Sequence, residues 1–309
     1  LRRIVSRAFS PRLLARTESD IKAEAQRIVD DVIDRQPTDF VPAVASPMPF
    51  RVICTMMGIP ERYRPQILRQ VDHATQDIGV GRGLRSRVRL PGSSLRALVR
   101  LHLLMARLAH ERRRRPTDDL ISALVTADVD GARLTSRELG AFFSLLMVAG
   151  VETTRNAIAH GLWLLTAHPE QREVLWSDPE KYLDTAVDEM VRHASPIIQF
   201  RRTLASDHEI GGRTLARGDK VVLYFCSANR DETVFDDPQA FDVGRDPNPH
   251  LGFGGGGPHY CLGAHLARQE MRAIFGELIT RVPGVRATAP PELVPSSFDN
   301  RVRSLPFRI

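Results

Sequence analysis

Along the first two-thirds of the chain, apolar residues recur every three or four positions, the spacing of a helix with one buried face. Between residues 18 and 35, Ile21, Ala25, Ile28, Val29 and Val32 share such a face. Pro49 to Gly58 reads as a short apolar helix, Gly79 to Gly92 as a glycine- and arginine-rich connection, and Leu95 to His110 as a further long helical pattern. Thr135-Ser-Arg-Glu138 has the form of a capping box, in which hydroxyl and carboxylate each satisfy an N–H that the helix itself leaves unpaired. The pattern it opens runs to about His168-Pro169. A helix of roughly 30 residues is about 45 Å long, enough to cross a domain.

The period changes after Phe200. Val221 to Phe225 is an apolar, β-rich run, and Gly211-Gly212 marks a turn before it. From Ala228 to Pro249 the chain is irregular, broken by Pro238, Pro247 and Pro249. A last helical stripe comes after it, through Leu262, Leu266, Ile274, Phe275, Leu278 and Val282, and Pro283-Gly284 ends it. The pattern predicts one mainly α domain with a small β component over residues 1–309, without internal repeats.

The densest chemical signal is HLGFGGGGPHYCLGAHLAR, His250 to Arg268. Five glycines and a proline lead into a lone cysteine, Cys261, at the predicted start of the last helix. A helix N-terminus favours a thiolate over a thiol, and a glycine-rich approach lets something flat and bulky lie against the backbone. A thiolate beside a flat surface is what a haem iron needs from its proximal ligand. A phosphate loop would need Lys-Ser or Lys-Thr where Pro258-His259 stands, and a dinucleotide fingerprint a third glycine at His259. A zinc site from His250, His259, Cys261 and His265 is a minority reading without a paired CxxC. A buried cysteine at a helix start is the structural alternative.

This segment resembles the haem-ligand loop of the cytochrome P450 family, and further family motifs occur in order along the chain. It departs from the commonest pattern in that Phe253 lies eight residues before Cys261, one more than usual. Some actinobacterial lipid and steroid hydroxylases of the family share this longer loop. The resemblance implies the P450 fold, haem b (iron protoporphyrin IX) and Cys261 as the metal ligand. It implies haem contacts from Phe253, Gly255 and Gly263 on the loop and from Ala149 and Gly150 on the long helix. Thr153 would hold the hydrogen-bond network at the dioxygen site, and Glu152 would relay protons toward it. Gly150, costly by about 1 kcal/mol inside a helix, would leave room for dioxygen. His259, Arg202 and Arg2 would meet the propionates. Glu189 and Arg192, three apart on one helix, are spaced to pair. In the family such a pair is structural, with a third basic partner where this chain has Ala240, so that Arg230 or Arg245 would substitute.

The resemblance also implies that LRRIVSRAFSP lies inside the family's third major helix, with the N-terminal helices and most of the first sheet absent. Such a chain is expected to expose apolar faces and to hold haem weakly.

Composition adds bounds. The hydrophobic fraction of 42% and charged fraction of 26% are those of an ordinary globular chain. Net charge is +6 and comes from arginine, since lysine occurs only at positions 22, 181 and 220. A GC-rich genome accounts for that bias, so no nucleic acid partner is expected. The run Arg112 to Arg115 reads as a solvated helix end. The three cysteines suit a reducing cytoplasm, and no apolar run approaches a membrane span. Leu145, Leu146, Val148, Ile197, Ile198, Phe200 and the Ser297–Asn300 turn would line a pocket for a small hydrophobic substrate such as a steroid, terpenoid or branched lipid. The chain has no flavin or nicotinamide fingerprint, so electrons are expected from a ferredoxin and its reductase. Arg3, Arg7, Arg12, Arg268 and Arg272 would offer that donor a basic face. The leading reading is a haem-thiolate monooxygenase using O2. Alternatives are a peroxide-driven oxidase, a non-catalytic recruitment module and a gas sensor.

Overall fold

A computed structural model of the chain describes residues 11–76, 92–128 and 133–309. Arg2, Arg3, Arg7 and most of the Gly79–Gly92 connection lie outside these residues. Helices α1 (Pro11–Arg35), α2 (Pro47–Met56) and α3 (Arg64–Gln76) come first. They are succeeded by α4 (Gly92–Arg114), α5 (Leu120–Thr126), α6 (Ser136–Ala167), α7 (Pro169–Ser177) and α8 (Pro179–Ala194). Strands β1 (Gln199–Thr203), β2 (His208–Ile210), β3 (Arg213–Leu215) and β4 (Lys220–Tyr224) precede the single turn α9 (Phe225–Ala228). After an irregular stretch come α10 (Ala264–Arg281) and the short strands β5 (Arg286–Ala287), β6 (Glu292–Leu293), β7 (Val302–Ser304) and β8 (Phe307–Arg308). Among the described residues no helix is long and apolar enough to cross a membrane.

The expected face of α1 is buried in full, Ile21, Ala25, Ile28, Val29 and Val32 all lying in the core. Helix α6 runs for 32 residues and starts at the capping box, with the Thr135 side chain accepting from the Glu138 N–H and the Glu138 carboxylate accepting from the Thr135 N–H. Its two halves serve different apolar clusters. Leu139, Phe143, Met147 and Val151 pack with residues of α2, α4 and α5, whereas Ala157 to Leu165 pack with α1, α8 and α10. Close contact in the second half requires a glycine: a Cβ on Gly161 would lie 2.7 Å from the Phe275 ring and 2.8 Å from the Met190 sulfur. The strands form antiparallel pairs, β1 with β4, β2 with β3, β5 with β8 and β6 with β7. Gly211 and Gly212, both at positive φ, make the β2–β3 turn.

Two expectations change. The last helix begins at Ala264, not at Cys261, because residues 261–263 turn with the Ala264 N–H pointing back to the Cys261 carbonyl. Arg112 is no solvated end: it is largely buried, donates to Asp119 Oδ2 at 2.7 Å and to the Gly58 carbonyl at 2.9 Å, and ties α4 to α5. Arg114 and Arg115 do face solvent.

The irregular segment from residue 229 to 263 has no ladder of its own, so its backbone groups need partners elsewhere. Glu189 and Arg192, each with 0% side-chain exposure, supply many of them. Their contacts are bidentate, both at 2.7 Å, and Arg192 also donates to the carbonyls of Asn229, Pro238 and Ala240. Glu189 accepts from the Asp242 N–H, from Asn248 and from Arg245 at 3.3 Å. Arg245 is therefore the third basic partner, while Arg230 turns to the His193 carbonyl. Burial alone would raise the Glu189 carboxyl, but Arg192, the Asp242 N–H and Arg245 outweigh it and hold the group below the usual range.

Two outcomes are expected of this core. Arg192→Met leaves Glu189 buried without its main partner, at a cost of about 3–5 kcal/mol, read as a lower urea midpoint. Glu270 on α10 is buried, and burial pushes its carboxyl from 4.5 up to about 8. Between those values the unfolded chain releases a proton that the folded chain keeps, so stability falls as pH rises across that window. The slope is about 1.4 kcal/mol per pH unit, and Glu270→Gln should remove it in denaturation series from pH 5 to 8.

Candidate functional site

The loop from His250 to Gly263 closes on itself through the Cys261 N–H, which donates to the Phe253 carbonyl at 3.0 Å. Gly254 at φ +87° and Gly257 at φ +107° turn it, in the left-handed region that only glycine enters cheaply. Its near end is docked on α8. A Cβ on Gly252 would lie 2.6 Å from the Val191 side chain, and His250 Nε2 lies 3.2 Å from Asp188. Its far end is open. A Cβ on Gly255, Gly256, Gly257 or Gly263 would meet nothing within 4 Å, and Cys261 and His259 are both exposed there.

Opposite chemistry sits midway along α6. Thr153 Oγ1 donates to the Ala149 carbonyl at 2.7 Å. Ala149 is exposed, but Gly150 is turned the other way: a Cβ there would lie 2.9 Å from Ile53 of α2. Close packing against Ile53 is a physical reason for a small residue at that position. Leu262 and Leu266, flanking the cysteine turn, pack on the same apolar cluster as Met147 and Val151. Core packing thus joins the cysteine loop to the Glu152–Thr153 turn.

Glu152 is buried and ion-paired, to Arg155 at 3.1 Å and to Arg301 at 3.6 Å. Arg301 also pairs with Asp299 at 2.8 Å. Arg155 donates to the Val302 carbonyl, the Val302 N–H donates to Asn156, and His160 Nε2 faces the Asn300 carbonyl at 3.0 Å. With a carbonyl opposite it, that nitrogen must carry the proton, and burial lowers the His160 pKa. Helix α6 therefore grips residues 299–302 by a polar seam. Sequence reasoning missed Arg301 and Asp299, since their partner lies far away in the chain. Arg155 was missed too, although its place three residues after Glu152 is the local signal that could have found it.

The remaining expected residues divide. Arg202 lies over the Phe200 ring, 5.5 Å from its centroid, and donates to the Arg201 carbonyl. Phe200 meets Phe298 at 5.4 Å, and the Ile198 N–H donates to the Phe298 carbonyl, so the 197–200 and 297–300 segments adjoin as expected. Leu145 is exposed, while Leu146 packs on the core. Arg268 and Arg272 are already neutralised by Asp188 and Asp184 of α8, which corrects their assignment to an open basic face. The Asp188 carboxyl, although raised by burial, is held below its usual range by His250 and Arg268. Among the described residues no group of three or more His, Cys, Asp or Glu side chains is placed to hold a metal ion, and His250, one of the four zinc candidates, faces Asp188.

An exposed thiol at the edge of a glycine-lined, bare surface fits a flat macrocycle bound through a thiolate. The comparisons agree. A sequence profile described as Cytochrome P450 matches residues 93–178 and 179–282. The chain belongs to the cytochrome P450 family. It is 47% identical to methyl-branched lipid omega-hydroxylase of Mycobacterium tuberculosis, over 99% of this chain and 71% of that one. It is 37% identical to steroid C26-monooxygenase of Mycolicibacterium smegmatis, over 98% of this chain and 69% of that one. The fold superposes on Mycobacterium marinum cytochrome P450 CYP268A2 in complex with pseudoionone with a TM-score of 0.92, at 44% identity, covering 100% of this chain and 74% of that one. The protein is thus a P450 monooxygenase, and haem is its cofactor.

In this P450 the cluster of Glu152, Arg155, Asp299 and Arg301 is charge-balanced, with all but the half-buried Arg155 out of water. Arg301→Met should cost about 3 kcal/mol or more, because it leaves excess negative charge out of water, and thermal unfolding would show the loss.

Proposed function

We propose that this P450 hydroxylates an unactivated C–H bond of a branched, apolar substrate, with Cys261 as the axial ligand, O2 as oxidant and a ferredoxin as electron donor. The observation that carries the reading is the placement of Cys261, exposed where the glycine run leaves the surface bare. When bound, the haem supplies oxygen activation, assisted by charge donated from a thiolate. His259 at the loop end and Arg202 on β1 are the described donors for the propionates. Arg2 is the third in this reading.

Thr153 acts from α6. Its proton is used on the Ala149 carbonyl, so its lone pairs face outward and can accept a hydrogen bond from a ligand in the cleft. Glu152 supplies the acid next to it. It is held by Arg155 and Arg301, so delivery of a proton toward Thr153 requires the carboxyl group to leave at least one of these partners.

The substrate class rests on two supports. Leu145 and Phe200 are exposed apolar groups, and Phe200 lies against Phe298 of the 297–300 turn. The mycobacterial relatives are named as a methyl-branched lipid omega-hydroxylase and a steroid C26-monooxygenase, which favours a branched aliphatic terminus. A net charge of +6 suits an acidic donor protein, although Arg268 and Arg272 contribute no excess charge to it. We place the reaction in the cytoplasm, since no disulfide joins the cysteines.

The test is a carbon monoxide difference spectrum of the reduced chain supplied with haem. The red-shifted Soret band of a thiolate complex is expected, and Cys261→His should abolish it. Persistence of that band in the variant would overturn the assignment. Thr153→Ala should keep the band but lower product formed per O2 consumed, by about tenfold or more if the hydroxyl directs proton delivery.

A further inference from the structure

Consecutive carboxylates of α8 serve consecutive parts of the chain. Glu189, with Arg192 and Arg245, fixes the irregular segment up to Asn248. Asp188 faces the cysteine loop, which begins two residues later at His250. One of its oxygens, Oδ1, takes Arg268 Nε at 2.7 Å and His250 Nε2 at 3.2 Å. His250 Nδ1 accepts the Gly252 N–H at 3.1 Å, so the ring proton must reside on Nε2 and point at Asp188. The His250 side chain is only 3% exposed, which leaves this arm little freedom. Along the second arm, the Arg268 guanidinium lies over the Phe253 ring, 4.4 Å from its centroid. The Phe253 carbonyl in turn receives the Cys261 N–H.

We infer that Asp188 is a positioning residue for the cysteine loop, acting through His250 on its near strand and through Arg268 and Phe253 on the backbone pair that holds Cys261. The sequence carries this as Asp188-Glu189, adjacent acids with separate duties. The inference rests on Cys261 being the ligand. Its test includes a haem-free measurement, so the two readings fail separately.

The decisive experiment is hydrogen exchange on the full chain, with and without added haem, comparing the wild type with Asp188→Asn and His250→Asn. Asparagine at 188 keeps the shape and removes the charge. Asparagine at 250 keeps an acceptor near the Gly252 N–H and loses the reach to Asp188. In Asp188→Asn, amides of residues 250–263 should exchange about tenfold faster or more, the loss of one charge-assisted hydrogen bond, while residues 229–248 stay protected. With haem and carbon monoxide, part of the red-shifted thiolate band should pass to a shorter-wavelength band. The double variant should be little worse than Asp188→Asn alone, because both changes cut one path. Unchanged exchange over 250–263, equal acceleration over 229–248, or strictly additive effects would each overturn the proposal. A lost thiolate band with unchanged exchange would also count against it.

Discussion

The ion pair between Glu189 and Arg192 organises the irregular segment that leads to the cysteine loop. Between α9 and α10 the chain runs for more than thirty residues without helix or strand, and buried backbone groups in such a segment are costly unless paired. Arg192 has five N–H donors in a rigid fork. It spends two on Glu189 and the rest on three carbonyls of that segment. Removing two charges from water is expensive, so the pair is poorly explained as a source of net stability. What it provides is a fixed set of partners: all five donors are used, and each carbonyl they hold pins one point of the irregular chain.

That anchoring is inherited by the site. Asn229, whose carbonyl Arg192 holds, accepts the Leu251 N–H on its side-chain oxygen, and its amide group reaches Ser195. The cysteine loop thus starts from a fixed point and is pressed on α8 at Gly252. Its free end can then be stripped of side chains without losing shape. Flat-ligand binding needs both halves of this arrangement, a rigid root and a bare tip.

The long helix, its capping box, the buried face of α1 and the β4 run were legible because each is written in local periodicity or local polar spacing. Cys261 and the glycine run were legible for a different reason: few structural needs produce that composition. The start of α10 was misread by three residues because the apolar stripe already begins at Leu262, in a turn whose side chains also face the core. The packing of Gly150 was not legible because a glycine in a helix signals close approach without saying from which side, and Ile53 is nearly a hundred residues away in sequence. The ion pairs of Arg268 and Arg272 were hidden for the same reason, their acids lying on α8.

The polar seam between α6 and residues 299–302 joins these threads. Glu152, Arg155, Asn156 and His160 keep helical spacing, so a polar stripe runs down a helix that is otherwise core. A stripe of that kind on a buried helix must face polar partners, and the C-terminal segment provides them as carbonyls, an N–H and Arg301. The same segment leads directly from the Phe298 contact with Phe200. A bulky group displacing Phe298 would therefore pull on Asp299 and Arg301, and through them on the carboxylate beside Thr153. The Phe298 contact and the polar seam thus share one short stretch of backbone, and the charges on it form a single coupled cluster with Glu152 and Arg155.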